Sequence, residues 1–292
     1  EVIAFLKKKL AENDFDLMLT HVLSVDHMGH SFGLKDERVK EKIAENDQLL
    51  LDIMDTIDDE TTLVILGDHG MDAGGTHGGG TLDETSTAIV AFHKKGFQKY
   101  HHQKDVSQVM RSINETTLSV KQQDIAPTLS MLMGIPIPFS NLGQMINDIY
   151  PAVDYTGGKE EKCPGAAFEA QMLRDNYLNS LQIVNYMKTF QLDAHLFAEK
   201  DLVHIEKLAK EIETLYNQAT EMIQTSQQCE TAFHDLVIET VLKTQNLSEQ
   251  VYNLTRATGA FDMPLIHTGL ALVCLVILLY VFIMQFLFRK GH

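Results

Sequence analysis

The chain has 292 residues, of which 45% are hydrophobic and 22% are charged, so it is long enough and apolar enough to bury a core. This composition excludes disorder of the whole chain. The 24 Lys and Arg stand against 40 Asp and Glu, which gives a formal net charge of -16. Nucleic-acid binding requires a broad cationic face, so we expect no nucleic-acid partner.

The first 150 residues alternate between helical and strand-like patterns of hydrophobic side chains. The predicted elements are a helix over Val2 to Leu10, a strand over Leu17 to Val25, a helix over Glu37 to Ile57, strands over Thr62 to Leu66 and Ser86 to Phe92, and a helix over Asp124 to Met133. This alternation predicts an α/β domain in which helices cover a layered sheet. A Pro-rich turn followed by Gly157-Gly158 predicts the end of the domain near residue 150.

Residues 151–263 have few strand signals and are predicted to form a helical segment. Hydrophobic side chains recur there in steps of three and four, at Ile205, Leu208, Ile212, Leu215, Ala219 and Met222. This spacing predicts an apolar face along one helix, as in the seam of a helical hairpin. A helix that binds a partner would have the same spacing and is the alternative.

A transmembrane helix is predicted towards the C-terminal end. The 24 residues from Leu265 to Phe288 contain no Asp, Glu, Lys or Arg, and about 20 residues cross the core of a bilayer. Because Arg289 and Lys290 follow at once and basic residues favour the cytoplasmic side, the preceding residues are expected to be lumenal or extracellular. We assign 264–288 to this helix and 289–292 to its cytoplasmic flank. The alternative is a buried hairpin helix of a soluble protein.

Two further features bear on the compartment. Asn114, Asn246 and Asn253 each begin an Asn-x-Ser/Thr triplet, which fits N-glycosylation on a lumenal side. Cys163 and Cys229 form a disulfide in an oxidising compartment or remain free thiols, and the sequence does not decide between these alternatives.

Three segments carry the residues typical of a metal site. Asp26 and His30 lie four residues apart and are expected just after a strand. Asp68 and His69 follow the predicted strand that ends at Leu66, and His77 lies in a Gly-rich loop. We therefore expect these five side chains to meet at the ends of neighbouring strands.

Carboxylate oxygens and imidazole nitrogens are ligands for zinc and for harder divalent ions, and zinc and manganese both accept this set. Two ions bound in this way hold the attacking and leaving oxygens of a phosphoryl group, which favours phosphoryl-transfer or phosphodiester chemistry. His93, His101 and His102 lie in a polar stretch outside the pattern and are predicted to be solvated.

The order of the motifs resembles the second half of the two-metal site of the alkaline phosphatase superfamily. The residues concerned are Asp26-x-x-x-His30, Gly67-Asp68-His69-Gly70-Met71 and His77-Gly78-Gly79. Phosphodiesterases and the ethanolaminephosphate transferases of glycosylphosphatidylinositol (GPI) anchor synthesis share this spacing. Asp124 to Leu129 and Gly134 to Gly143 are more similar to the transferases, and the second of these segments is most similar to the third transferase, which modifies the third mannose.

The resemblance covers residues 10 to 150 and implies a fold, a ligand assignment and a reaction. The implied fold is an alkaline-phosphatase-like layered sheet with helices on both faces, followed by lumenal helices and one transmembrane helix. Asp26, His30 and His77 would hold one divalent ion, and Asp68 and His69 the other.

The family has a further Asp and a Thr nucleophile on an earlier strand and helix, so both are expected upstream of Glu1. The chain is then the later part of a catalytic domain, inactive alone and followed by further membrane helices. Gly80 is a smaller departure, because many relatives have an acidic residue there.

The implied reaction is a double displacement at the lumenal side of the endoplasmic reticulum membrane. The threonine attacks the phosphorus of phosphatidylethanolamine, diacylglycerol leaves, and the 6-hydroxyl of a mannose in the GPI precursor accepts the phosphoethanolamine. A small membrane protein that stabilises the enzyme is an expected partner.

Two alternatives stay open at this stage. A phosphodiesterase of the same superfamily would use the same ligands and release its product to water. A non-catalytic lumenal scaffold would keep the metal loops for stability and use the helical segment to hold a partner.

Overall fold

The computed structural model describes residues 2–98, 119–158, 165–194, 197–225 and 231–259. The fold is mixed, with a small sheet, short helices around it and three long helices after residue 165. The predicted membrane segment, Cys163, Cys229 and Asn114 lie outside the described residues. Among the helices in the described ranges, none has both the length and the apolar character required to cross a bilayer.

Helices α1 (Val2–Glu12) and α3 (Glu37–Thr56) confirm two of the predicted helices and pack against each other. Their buried face is formed by Leu6, Leu10, Leu49, Ile53 and Ile57. These positions recur at intervals of four in each helix, so they lie on one side of it. Asp36 caps α3 by accepting the backbone N–H of Arg38 at 3.0 Å.

The predicted strand over Leu17 to Val25 is wrong. Residues 17–23 have no regular secondary structure, and α2 (Ser24–Phe32) begins inside the predicted range. The hydrophobic pattern there is real, but Leu19 is 93% exposed. A strand exists only where its backbone pairs with another strand, and in the described part of the chain none lies beside this segment.

The two remaining strand predictions are confirmed with shorter bounds. Strands β1 (Leu63–Leu66) and β2 (Ile89–Phe92) pair antiparallel, with Leu63 opposite Phe92 and Leu66 opposite Ile89. The short helix α4 (Leu82–Thr85) lies between them in the chain. Within the described residues this pair is the whole sheet, so helices on both faces of a larger layered sheet stay a prediction.

The predicted helix over Asp124 to Met133 is confirmed as a 3₁₀ turn (Gln122–Asp124) that continues into α5 (Ile125–Leu132). Gly134 follows with φ +68°, a left-handed conformation that ends the helix. A second 3₁₀ turn covers Asn147–Ile149.

The helical segment contains α6 (Ala166–Ala194), α7 (Glu199–Thr225) and α8 (Thr231–Gly259), which pack on one another. The predicted seam is confirmed, because Ile205, Leu208, Ile212 and Ala219 are buried. Their partners on the other two helices include Ile183, Met187, Val237, Val241, Leu247 and Val251.

Residues 141–150 join the domain of α1 to α5 to the three long helices. Leu142, Met145 and Tyr150 are buried in the same hydrophobic clusters as the long helices. Asn179 of α6 donates a 3.0 Å hydrogen bond to the carbonyl of Gly143. Because the buried amide nitrogen of Asn179 has this partner, the hydrogen bond favours one position of the segment on the helices.

Candidate metal centre

Asp26 and His30 lie on helix α2, where the sequence predicted a loop after a strand. A spacing of four residues places both side chains on the same helical face. The backbone of α2 also lies close to the next loop, because a Cβ at Gly29 would collide with the sulfur of Met71. The helix therefore supplies the i, i+4 geometry that we had assigned to a loop.

The Gly-rich loop 72–77 brings His77 to α2. The carboxylate of Asp72 accepts the backbone N–H of Thr76 at 2.9 Å and its hydroxyl at 2.7 Å. These hydrogen bonds hold the pKa of Asp72 below its usual value. Gly75 has φ +85°, and a Cβ there would collide with the carbonyl oxygen of Gly29. Only glycine permits so close an approach of the loop to the helix.

Asp26, His30 and His77 converge on one point. The Nε2 atoms of the two histidines lie 3.0 Å apart, and each lies 3.5 Å from Oδ1 of Asp26. This oxygen is buried and has no hydrogen-bond partner among the described residues. An acceptor oxygen and two imidazole nitrogens that lie within 4.8 Å of one another fit a divalent cation.

Asp68 and His69 follow β1 directly, because the N–H of Gly67 still bonds the carbonyl of Ala88 across the sheet at 3.2 Å. His69 Nε2 lies 3.7 Å from Oδ2 of Asp68. His69 Nδ1 lies 2.9 Å from the carbonyl oxygen of Gly70, and this hydrogen bond leaves Nε2 as the ligand atom.

The two groups of candidate ligands are adjacent. The rings of His69 and His77 stack with centroids 3.8 Å apart and an interplanar angle of 27°. The structure thus brings all five predicted side chains to one place. The assignment of Asp68 and His69 to a second ion stays a prediction.

His21 is a residue of the site that the sequence analysis missed. Its Nε2 lies 3.6 Å from Oδ2 of Asp68, on a side chain that is largely exposed. The available signal was its place five residues before Asp26, in the segment that leads into α2. We had interpreted that segment as a strand, which gave His21 no role.

Glu84 was also missed, and it supplies hydrogen bonds to the loop after His77. Its carboxylate accepts the N–H of Gly79 at 2.9 Å and the hydroxyl of Thr81 at 2.6 Å. The hydrogen bond from Thr81 lowers the pKa of Glu84, and the bond from Gly79 adds to this effect. A carboxylate therefore contacts this loop although position 80 is glycine.

The prediction that His93 is solvated is wrong. Its side chain is buried at the end of β2, where Nδ1 accepts the N–H of Lys95 at 3.2 Å. The sequence showed only a polar run at this position and gave no sign of the burial. His101 and His102 lie outside the described residues.

The sequence comparisons identify similar proteins. Residues 1–125 match the family described as type I phosphodiesterase / nucleotide pyrophosphatase. GPI ethanolamine phosphate transferase 3 of Schizosaccharomyces pombe is 37% identical over 137 residues, which are 47% of this chain and 14% of that protein.

Two further relatives extend the match. GPI ethanolamine phosphate transferase 3, catalytic subunit, of Mus musculus is 25% identical over 239 residues, or 82% of this chain and 20% of that protein. GPI ethanolamine phosphate transferase 2 of Kluyveromyces lactis is 37% identical over 148 residues, or 47% of this chain and 18% of that protein. No solved structure matches the chain.

The family resemblance predicted from the motifs is therefore confirmed. The chain is similar to GPI ethanolamine phosphate transferases and spans between 14% and 20% of the length of these three proteins.

Proposed function

We propose that the protein containing this chain transfers phosphoethanolamine from phosphatidylethanolamine to a mannose of the GPI anchor precursor. The observation that carries the proposal is the convergence of Asp26, His30 and His77 in a chain whose relatives are named as such transferases. Oδ1 of Asp26 is buried without a hydrogen bond among the described residues, and this supports a bound cation, because a buried polar atom without a partner costs free energy.

Two divalent ions, zinc or alternatively manganese, would neutralise the phosphate of the donor and lower the pKa of the attacking hydroxyl. Asp26, His30 and His77 would hold one ion, and Asp68 and His69 the other. The bond from His69 Nδ1 to the carbonyl of Gly70 fixes the ring orientation that this role requires.

The loops of this chain would contribute orientation. The carboxylates of Asp72 and Glu84 accept backbone N–H groups on either side of His77. These hydrogen bonds would hold the imidazole in position before substrate binds. By resemblance, the threonine nucleophile and a further aspartate belong to a part of the catalytic domain that precedes Glu1. The chain would then supply five of the expected metal ligands and none of the covalent chemistry.

The substrates and partner follow from the relatives and the motifs. The third mannose is favoured by the segment Gly134 to Gly143, although relatives named transferase 3 and transferase 2 reach the same 37% identity. The mouse relative is named a catalytic subunit, a name that implies a further subunit in that protein. For the present protein, the partner would be the small membrane protein expected from the resemblance. We place the catalytic domain in the lumen of the endoplasmic reticulum, with 264–288 in its membrane.

The proposal is tested by assaying the protein expressed from its whole coding region. Labelled phosphatidylethanolamine is the donor, and a mannosylated GPI precursor is the acceptor. Asp26→Ala and His77→Ala should each reduce transfer by about a thousand-fold or more, because a lost ion withdraws several kcal/mol of transition-state stabilisation. His204→Ala, an exposed histidine on α7, is the control and should retain activity. Unchanged transfer in both aspartate and histidine variants would refute the proposal.

A phosphodiesterase is the second candidate, because the family matched by residues 1–125 is described by that activity. The same assay separates the two. A transferase moves the label to the sugar and depends on the acceptor, whereas a phosphodiesterase releases phosphoethanolamine to water without it. A protein that binds no ion and has neither activity would instead be a lumenal scaffold.

A further inference from the structure

The main chain at Asp68 is held by a side chain from a distant part of the sequence. Nε2 of Gln122 donates a 3.0 Å hydrogen bond to the backbone carbonyl of Asp68, 54 residues earlier. This carbonyl belongs to the planar peptide unit that joins Asp68 to His69. A hydrogen bond there restricts the direction of both side chains, although the carboxylate of Asp68 itself is 59% exposed.

A buried carboxylate, that of Asp124, stabilises the 3₁₀ turn that carries Gln122. Asp124 is 1% exposed and accepts the backbone N–H of Lys121 at 2.8 Å and that of Gln144 at 2.9 Å. The carbonyl of Gln123 accepts a 3.0 Å hydrogen bond from the side chain of Asn141. Gln122 therefore extends from a turn that is fixed on both sides.

Helix α8 supports the same turn. Lys121 forms an ion pair with Glu249, and its ammonium lies 4.4 Å from the ring centre of Tyr252. Ser248 donates a 2.7 Å hydrogen bond to the carbonyl of Leu142, in the segment that contacts the turn. A continuous set of contacts thus leads from α8 to the peptide between the two predicted ligands.

We propose that Gln122 is a positioning residue for the second ion, and that helix α8 supports it through Lys121. The amide of Gln122 holds the peptide so that Asp68 and His69 face the same ion. This inference rests on the proposed function, because it takes those two residues as ligands. Gln122 has no contact with substrate in this role.

The test is a competition titration of Zn²⁺ against a chromophoric chelator, with the protein expressed from its whole coding region. Gln122→Glu keeps the shape of the side chain and removes the N–H donor. We expect the affinity for one ion to fall by about 10- to 100-fold, the usual effect of losing an outer contact to a ligand. The affinity for the other ion, the one that His77→Ala removes, should be unchanged.

Gln98→Glu is the matched control. Its Nε2 also donates to a backbone carbonyl across the chain, that of Val153 at 3.2 Å and 55 residues away. This variant should bind both ions as the wild type does. Far-UV circular dichroism checks folding, and Lys121→Met gives a second variant, which should weaken the same ion less than Gln122→Glu.

Three results would overturn the inference. Wild-type binding of two ions with unchanged affinities in Gln122→Glu refutes it and leaves the proposed function standing. Equal weakening of both ions, in a folded variant, would show a general effect on the fold. A wild-type protein that binds no Zn²⁺ refutes the inference together with the proposed function.

Discussion

The loops that carry candidate ligands, residues 67–81, and the three long helices are stabilised in different ways. In the loops, carboxylates near the surface accept backbone N–H groups, as Asp72 and Glu84 do. In the helical region, core side chains such as Ile183 and Ile212 are fully buried, and the buried amide nitrogen of Asn179 donates to the carbonyl of Gly143. The positions of the candidate ligands therefore depend on local hydrogen bonds, whereas the stability of the three long helices depends on packing.

The same contrast is visible in the carboxyl groups. Burial raises the pKa of Asp124 and of Asp175 in and beside the helical region. Hydrogen bonds from Thr76 and Thr81 lower the pKa of Asp72 and of Glu84 in the loops. Acid should therefore act in opposite directions through these two sets of carboxyl groups.

The largest expected effect is a cavity in the helical core. Ile212 of α7 is fully buried, so Ile212→Ala should reduce the free energy of unfolding of the helices by about 2–5 kcal/mol. Val203→Ala on the same helix removes an exposed side chain and should change it by less than about 0.5 kcal/mol. Chemical denaturation followed by circular dichroism measures both. Equal losses of unfolding free energy in the two variants would contradict this account, because packing would then not determine helical stability.

A loop substitution should instead affect metal affinity. Glu84→Gln weakens the hydrogen bonds that Gly79 and Thr81 donate, so Zn²⁺ affinity should fall by about ten-fold with little change in global unfolding. Glu206→Gln, at an exposed position on α7, is the control for the change in charge. Competition titration gives the affinity. A loss of helical stability with unchanged affinity would contradict the division between the regions.

A smaller effect is expected from a buried polar contact. The hydroxyl of Tyr150 donates a 2.8 Å hydrogen bond to the buried carboxylate of Asp175. Tyr150→Phe removes the donor and should cost about 1–2 kcal/mol of unfolding free energy. Tyr186→Phe keeps a ring that stacks on Phe190 and is the control. Equal unfolding free energies of Tyr150→Phe and the wild type would show that this contact does not stabilise the helical region.

The smallest effect is the response to acid. A raised pKa in the folded state means that protonation of Asp124 favours folding, so its contribution grows as the pH falls from 7 and is lost as the pH rises through the folded pKa. For Asp72 the pKa is lowered, so its contribution is present above the ordinary value of 3.8 and is lost as the pH falls through the folded pKa. Hydrogen exchange, corrected for its intrinsic pH dependence, should show growing protection in the turn around Asp124 and falling protection in loop 72–77. The variant Asp124→Asn should not show this increase in protection as the pH falls.

The parts of the fold that the sequence predicted are those specified locally. Helix α3 and the seam of α7 have regular spacing of apolar residues over many turns, so their positions could be inferred from the chain alone. The segment over residues 17–23 has the composition of a strand, but pairing with another strand is a tertiary property. Its composition could not show that α2 begins at Ser24.

The candidate ligands were found because they lie in short contiguous motifs with Gly. The residues that position these ligands were missed because they lie outside those motifs. Glu84 contacts the loop after His77 only once α4 has formed, and Gln122 reaches Asp68 from 54 residues away. His21 had no role because its segment was interpreted as a strand.

The central claim is that these loops hold two divalent ions, and the most direct test is the number of ions bound. Native mass spectrometry of the protein expressed from its whole coding region, after dialysis against limiting Zn²⁺, counts them. The account predicts two ions in the wild type and one in His77→Ala, with His204→Ala retaining two. No bound ion in the wild type, or two ions in His77→Ala, would contradict it.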